Sequence, residues 1–122
     1  MRRVGCVSVS VVALIATVAA GPLAALADDA TDAGHGVVHA ELEAAAAVCS
    51  GLQVDMATQL QRLKGAAIDP GKPSAAFERG YREADARASE AIANERLRSF
   101  CNDILRSYGP GGTSISGLVK PR

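Results

Sequence analysis

Two histidines four residues apart are the side chains in this sequence best suited to hold a metal ion. On a helix, the spacing of His35 and His39 places both imidazoles on one face, where carboxylates can complete a zinc or copper site. The nearby carboxylates are Asp28, Asp29, Asp32, Glu41 and Glu43. The pattern supports a metal-binding or metal-delivery module as one hypothesis. The other, which we favour, is that both histidines are ordinary polar residues of a leader and helix start.

Sequence patterns of known catalytic sites are missing from the chain. It contains no Gly-x-Ser-x-Gly elbow, no phosphate loop ending in Gly-Lys-Ser/Thr and no Cys-x-x-Cys-His haem motif. Neither histidine has a predictable serine or cysteine partner, and the paired carboxylates have the spacing of surface charges on helices. We therefore expect a protein that is not an enzyme and that needs no cofactor.

The first 27 residues have the pattern of a secretory signal peptide. Arg2 and Arg3 precede an apolar run from residue 4 to about residue 20, and an Ala-Leu-Ala cleavage site ends at residue 27. An uncleaved membrane anchor is the alternative, because the run approaches the shortest length that spans a bilayer. The pattern favours cleavage, and it predicts a periplasmic or secreted protein without stable membrane insertion.

Cleavage would change both the charge and the number of cysteines. Removal of Arg2 and Arg3 leaves 11 basic against 13 acidic side chains, a charge of about −2, so we expect no nucleic-acid partner. Cys6 is also removed, which leaves Cys49 and Cys101. In an oxidising compartment we expect these two to form a disulfide that stabilises the fold by roughly 4 kcal/mol. Two free thiols and an intermolecular disulfide are the alternatives.

Helical periodicity follows an acidic, glycine-bearing segment at residues 28–36, which we interpret as a flexible leader. Apolar residues then recur at steps of three and four up to a proline-containing turn at residues 68–74. A second helical segment ends before a glycine-rich stretch, residues 109–122, with the composition of a flexible tail. The Gly-Leu-Val segment of this tail could dock on a partner. The pattern predicts an all-α domain over residues 37–108, a small disulfide-stapled hairpin or bundle of three or four helices.

A disulfide between the two cysteines constrains where the helices break. In a straight antiparallel hairpin, Cys49 would lie about 15 Å along the axis from Cys101. A disulfide requires Cα atoms within about 7 Å. Either an extended segment at Ser50–Gly51 or a fold-back near Asn94 would remove the offset. We favour the break at Ser50–Gly51, which gives a short first helix over residues 38–49.

Three segments together resemble a group of small exported bacterial helical proteins of unassigned function. They are Cys49 after an apolar helix, the sequence AAFERGYREADAR at 75–87 and the sequence FCNDILRSYGPGG at 100–112. The resemblance covers about half of the chain and transfers no functional residues. In architecture, the expected fold is also similar to periplasmic acid-stress chaperones. We therefore expect a non-catalytic exported protein that acts through protein–protein contact, as an accessory or chaperone-like factor, and that can form a homo-oligomer.

Overall fold

The computed structural model describes the backbone from Gly21 to Arg122 and the side chains from Asp29 onward. Residues 1–20, which hold most of the predicted signal peptide, lie outside the described residues. The elements are α1 (Gly21–Val48), β1 (Leu52–Val54), α2 (Met56–Gly65), α3 (Ala75–Ala93), α4 (Leu97–Tyr108) and β2 (Val119–Pro121).

Four helices make up most of the described chain, which also has one small two-stranded sheet, and a disulfide joins Cys49 to Cys101. Both the fold class and the disulfide predicted from the sequence are therefore confirmed. Between residues 21 and 122, no helix combines the length and the apolar composition needed to cross a membrane.

The acidic segment at residues 28–36 is helical, which corrects the prediction of a flexible leader. Helix α1 continues through it and is much longer than the helix predicted from the sequence. A Cβ atom on Gly36 would overlap the backbone carbonyl oxygen of Phe77, and a Cβ on Gly80 would overlap that of Ala33. Glycine lowers helix propensity, but here it lets two helix backbones touch. The prediction of a flexible leader considered the low helix propensity of glycine but not the close helix contact that glycine permits.

Helices α1 and α3 share the most extensive contact in the fold and run in the same direction. Near the start of α3, Ser74 donates a hydrogen bond to Asp32; farther along both helices, Arg87 lies beside Glu41. The face of α3 that packs on α1 is built from small residues, because buried alanines recur at intervals of four residues on both sides of Gly80. These are Ala76, Ala84 and Ala88.

Both of the helix breaks considered from the sequence are present. The chain leaves α1 at Ser50–Gly51 and becomes extended in β1, and it leaves α3 at Asn94. Glu95 then adopts a left-handed conformation with φ of 59°, which reverses the chain into α4. As a result, Cys101 reaches Cys49 with the two Cα atoms 5.7 Å apart. The geometric constraint from the disulfide was valid, and the chain contains both of the breaks that were considered.

The C-terminal segment is packed and partly paired, which corrects the prediction of a flexible tail over residues 109–122. Strand β2 runs antiparallel to β1, with Val119 opposite Val54. Gly117, with φ of 87°, makes the turn that leads into it. Leu118 and Val119 are 1% and 2% exposed, so the Gly-Leu-Val segment docks on the core of its own chain.

The main apolar core lies between α1, α4 and the sheet. Its buried members are Leu42, Ala45, Cys49, Leu52, Ile104, Tyr108, Leu118 and Val119. A core of this size buries little apolar area, so cross-links contribute strongly to stability. The disulfide supplies such a cross-link, with Cys49 in the core and Cys101 packed against it.

Candidate functional site

A cleft of about 360 Å³ opens between α1, the start of α3 and the loop that precedes α3. Each of the three segments contributes two principal lining residues. They are His39 and Glu43 from α1, Pro70 and Pro73 from the loop, and Phe77 and Tyr81 from α3. The cleft therefore has an apolar and aromatic lining with a carboxylate on one wall.

The start of α3 is fixed by Ser74, which is both the helix cap and a link to α1. Its hydroxyl oxygen accepts a hydrogen bond from the Phe77 backbone N–H at 3.2 Å, which satisfies one of the free donors of the first turn. The same hydroxyl donates to Asp32 of α1 at 3.2 Å. Together with the close approach at Gly36, this cap brings the Phe77 ring beside His39, with ring centroids 5.9 Å apart.

Glu43 is hydrogen-bonded from both helices through its two carboxylate oxygens. His39 Nε2 lies 3.0 Å from Oε1, and the Tyr81 hydroxyl donates to Oε2 at 2.6 Å. The His39 side chain is 6% exposed, whereas that of Glu43 is 44% exposed. A buried donor and a donor on the opposite helix therefore hold an accessible carboxylate at the cleft. We call these three residues the His39–Glu43–Tyr81 unit.

The Tyr81 hydroxyl remains a hydrogen-bond donor over a wide pH range. Its hydrogen bond to Glu43, with burial and the charges of Glu43 and Asp85 as smaller causes, raises the pKa of Tyr81 to about 12. An ionised phenol beside the Glu43 carboxylate would place two negative charges in contact. Tyr81 is therefore protonated at physiological pH and can donate its hydrogen bond to Glu43.

The second nitrogen of His39 is buried without a hydrogen-bond partner among the described residues. Because Nε2–H donates to Glu43, a neutral imidazole leaves Nδ1 as an unprotonated acceptor. A buried polar atom without a partner is unfavourable by about 1–3 kcal/mol. The contact of Nε2 with Glu43 gives the histidine a role that an apolar ring at this position would not have.

The charges that line the cleft are predominantly negative. Glu78 and Arg82 lie at its edge and form an exposed ion pair at 3.6 Å, so their charges largely cancel. Glu43 is paired with His39, which is a cation only when protonated, so with a neutral His39 the lining residues carry one net negative charge. The negative charge of Asp85 also acts on Tyr81. The cleft is therefore electrostatically matched to a positively charged group.

The predicted metal ligands are positioned differently from each other. His35 is half-buried on α1, whereas His39 is buried and bonded to Glu43. Among the side chains that the structure describes, no group of three or more His, Cys, Asp or Glu could hold a metal ion. The metal site at His35 and His39 stays a prediction. The cleft combines His39 with Glu43 and Tyr81 instead.

The sequence reasoning named His39 as a site residue and Glu43 only as one of several nearby carboxylates, and it did not name Tyr81 as part of a site. His39 and Glu43 are four residues apart, which is the spacing of a side-chain pair on one face of a helix, so this pair could have been found from the sequence. Tyr81 lies 38 residues from Glu43 along the chain, so no local pattern connects the two residues. The contact between α1 and α3 is what brings its hydroxyl to the carboxylate.

The chemistry available at the cleft is recognition by hydrogen bonds, charge and aromatic contact. The His39–Glu43 pair has the composition of an acid–base dyad, but no serine, cysteine or lysine is among the described residues that line the cleft.

Comparison of the chain with protein-family models, with curated proteins and with solved structures finds no match. The interpretation of the cleft therefore depends on its own geometry.

Proposed function

We propose that this chain is a non-catalytic exported protein that acts by contacting another protein through the cleft between α1 and α3. The observation that carries the proposal is the accessible Glu43 carboxylate, which His39 and Tyr81 hold beside an apolar and aromatic lining. Concave sites that combine apolar walls with a few fixed polar groups are the usual form of a binding site. No step of this function requires a nucleophile or a cofactor.

Exposed apolar surface next to the cleft supports a protein partner. A second depression of about 360 Å³ adjoins the cleft and shares Pro70 with it. Leu60, which lines this depression, is 46% exposed, and Ile68 lies beside it. Adjacent apolar depressions with polar residues at their edges are typical of protein contact surfaces. We call the two depressions together the contact surface.

Export is part of the proposal and is supported by two independent features. The disulfide between Cys49 and Cys101 is of a kind that persists in oxidising compartments. The N-terminal sequence has the pattern of a cleaved signal peptide. The partner would then be another periplasmic or secreted protein, and this chain would serve as its accessory or chaperone-like factor.

Site-specific photo-cross-linking in cells that produce the protein tests the proposal. A benzophenone side chain replaces Arg82 at the cleft edge and, as a matched control, Glu90, which is also exposed on α3 but lies outside the cleft. We expect a discrete adduct with one protein from position 82 and no such adduct from position 90. Adducts of equal yield from both positions, or none from position 82, would contradict the proposed contact surface.

A further inference from the structure

We infer that the cleft receives a lysine or arginine side chain from an extended segment of the partner protein, while a neighbouring apolar side chain of that segment covers Leu60 and Ile68. The inference rests on the proposed function and specifies the chemistry that the partner presents. It is carried by the His39–Glu43–Tyr81 unit, the aromatic lining and the second depression.

The Glu43 carboxylate has the geometry of an acceptor prepared for a cation. A carboxylate offers about four lone-pair sites, and His39 and Tyr81 occupy one site on each oxygen. The remaining sites lie on an accessible, oriented group, so a cation binds without first ordering the side chain. Charge-assisted hydrogen bonds of this kind are stronger than neutral ones.

The rest of the cleft suits the other parts of a cationic side chain. Aromatic rings attract a cation through their faces, and the half-buried Tyr81 lines the cleft beside Glu43. The methylene stem of lysine or arginine packs well on apolar surface such as Pro70 and Pro73. The Glu43 carboxylate supplies the hydrogen-bond acceptors, and the side chain of His39 lines the same wall.

An anionic or neutral ligand fits the same observations poorly. A carboxylate or phosphate would lie near the Glu43 carboxylate and would meet like charge. A neutral aliphatic side chain would fill the apolar walls but would displace water from Glu43 without replacing its hydrogen bonds. The charge of the cleft therefore selects a cation over both.

The second depression favours a protein segment over a free amine. A small amine would fill only the cleft at Glu43 and would leave Leu60 and Ile68 exposed. In an extended chain, side chains two residues apart point to the same side, so one segment can present a basic and an apolar side chain to this surface. Burial of the second side chain adds apolar contact area that a free amine does not provide.

Titration of the ¹⁵N-labelled full chain, followed by two-dimensional NMR, tests this inference. The probes are the peptides acetyl-Leu-Ala-Lys-amide and acetyl-Lys-Ala-Leu-amide, their norleucine counterparts without the charge, and butylammonium chloride. We expect a lysine peptide to shift the amide signals of His39, Glu43 and Tyr81. Its dissociation constant should be about tenfold lower than those of the norleucine peptide and of butylammonium.

Two charge-neutralising variants distinguish the cleft from the rest of the surface. Glu43→Gln should weaken binding of the lysine peptide about fivefold, the upper range for a partly exposed ion pair. Glu83→Gln, an exposed position on α3 outside the cleft, should leave it unchanged. Tyr81→Phe keeps the ring but removes one hydrogen bond to Glu43, so it should weaken the lysine peptide more than the norleucine peptide.

The remaining outcomes separate the inference from the proposed function. Equal affinity for the lysine and norleucine peptides would overturn the assignment of a cation. Binding of butylammonium as tight as that of the peptides would overturn the assignment of a protein segment. If no probe shifts the cleft signals while position 82 still yields a specific adduct, this inference fails and the contact surface stands. If position 82 yields no adduct either, both fail.

Discussion

A Cβ atom on Gly36 would overlap the backbone carbonyl oxygen of Phe77, so the backbones of α1 and α3 are in direct contact at this point. His39 and Glu43 follow Gly36 by about one and two helical turns on α1. Because the helices are in contact there, both side chains reach residues of α3 across a short gap. The close approach at Gly36 therefore positions the His39–Glu43–Tyr81 unit.

Substitution at two nearby glycines of α1 should have opposite effects on stability. Gly36→Ala should lower the free energy of unfolding by about 1–3 kcal/mol, because the backbone of α3 must move away from the new methyl group. Gly34 has no described atom within 4 Å of an added Cβ, so Gly34→Ala should raise it by about 0.5–1 kcal/mol through helix propensity. Urea unfolding of both variants measures the difference.

Gly34→Ala serves as the control because it makes the same chemical change in the same helix. Equal effects of the two substitutions would show that α1 and α3 do not touch at Gly36. The cleft would then lack the wall that the structure assigns to it.

The helix at residues 28–36 could not have been predicted from local sequence. Taken alone, Gly34 and Gly36 each disfavour a helix by about 1 kcal/mol, so a flexible leader was the reasonable expectation. The compensation comes from contact with Phe77 and Gly80, far away along the chain. By contrast, the proline-containing turn at 68–74 and the end of the last helix depend on local residues, and the sequence located both.

The two helix breaks show a different limit of sequence reasoning. The reach of a disulfide is a fixed geometric constraint, so the need for a break between Cys49 and Cys101 could be deduced. The direction of the chain after each break depends on tertiary contacts. Strand β2 is only three residues long, and its partner β1 lies about 65 residues earlier, so nothing in its local pattern distinguished it from a flexible tail.

Truncation of Leu118 should test whether the C-terminal segment is part of the core. Leu118 is 1% exposed within the main core, so Leu118→Ala should lower the free energy of unfolding by about 2–5 kcal/mol. Leu97 on α4 is 38% exposed, and Leu97→Ala should cost less than about 1 kcal/mol. Thermal or urea unfolding of the two alanine variants gives the comparison. Similar small losses for both would mean that the segment is not packed as described.

Stability should change with pH through Glu41, which faces α3 and α4 from α1. Burial raises the pKa of Glu41, while the hydrogen bond from Tyr108 and the charge of Arg87 oppose the rise without cancelling it. A carboxyl whose folded-state pKa is raised favours the fold below its unfolded pKa, near 4.3, and this contribution is lost as pH rises through the folded-state value.

Glu41→Gln keeps an acceptor for Tyr108 and removes the titration. The variant should therefore gain stability relative to the parent chain as pH rises from about 4 to 7. The free energy of unfolding, measured by urea titration at several pH values, checks this difference. Glu83→Gln, on the exposed face of α3, is the control, and its difference from the parent should vary less with pH. A Glu41→Gln advantage that shrinks toward pH 7 would contradict the burial of this carboxyl.

The central structural claim is that His39, Glu43 and Tyr81 form one hydrogen-bonded unit at the cleft. Imidazole ¹H–¹⁵N NMR at pH 8 tests it most directly, because the proton on each ring nitrogen of His39 can be observed. We predict an Nε2–H proton protected from exchange with water and an unprotonated Nδ1, with the protection lost in Glu43→Ala and kept in Glu83→Ala. A proton on Nδ1 with none on Nε2, or protection that survives Glu43→Ala, would contradict the claim.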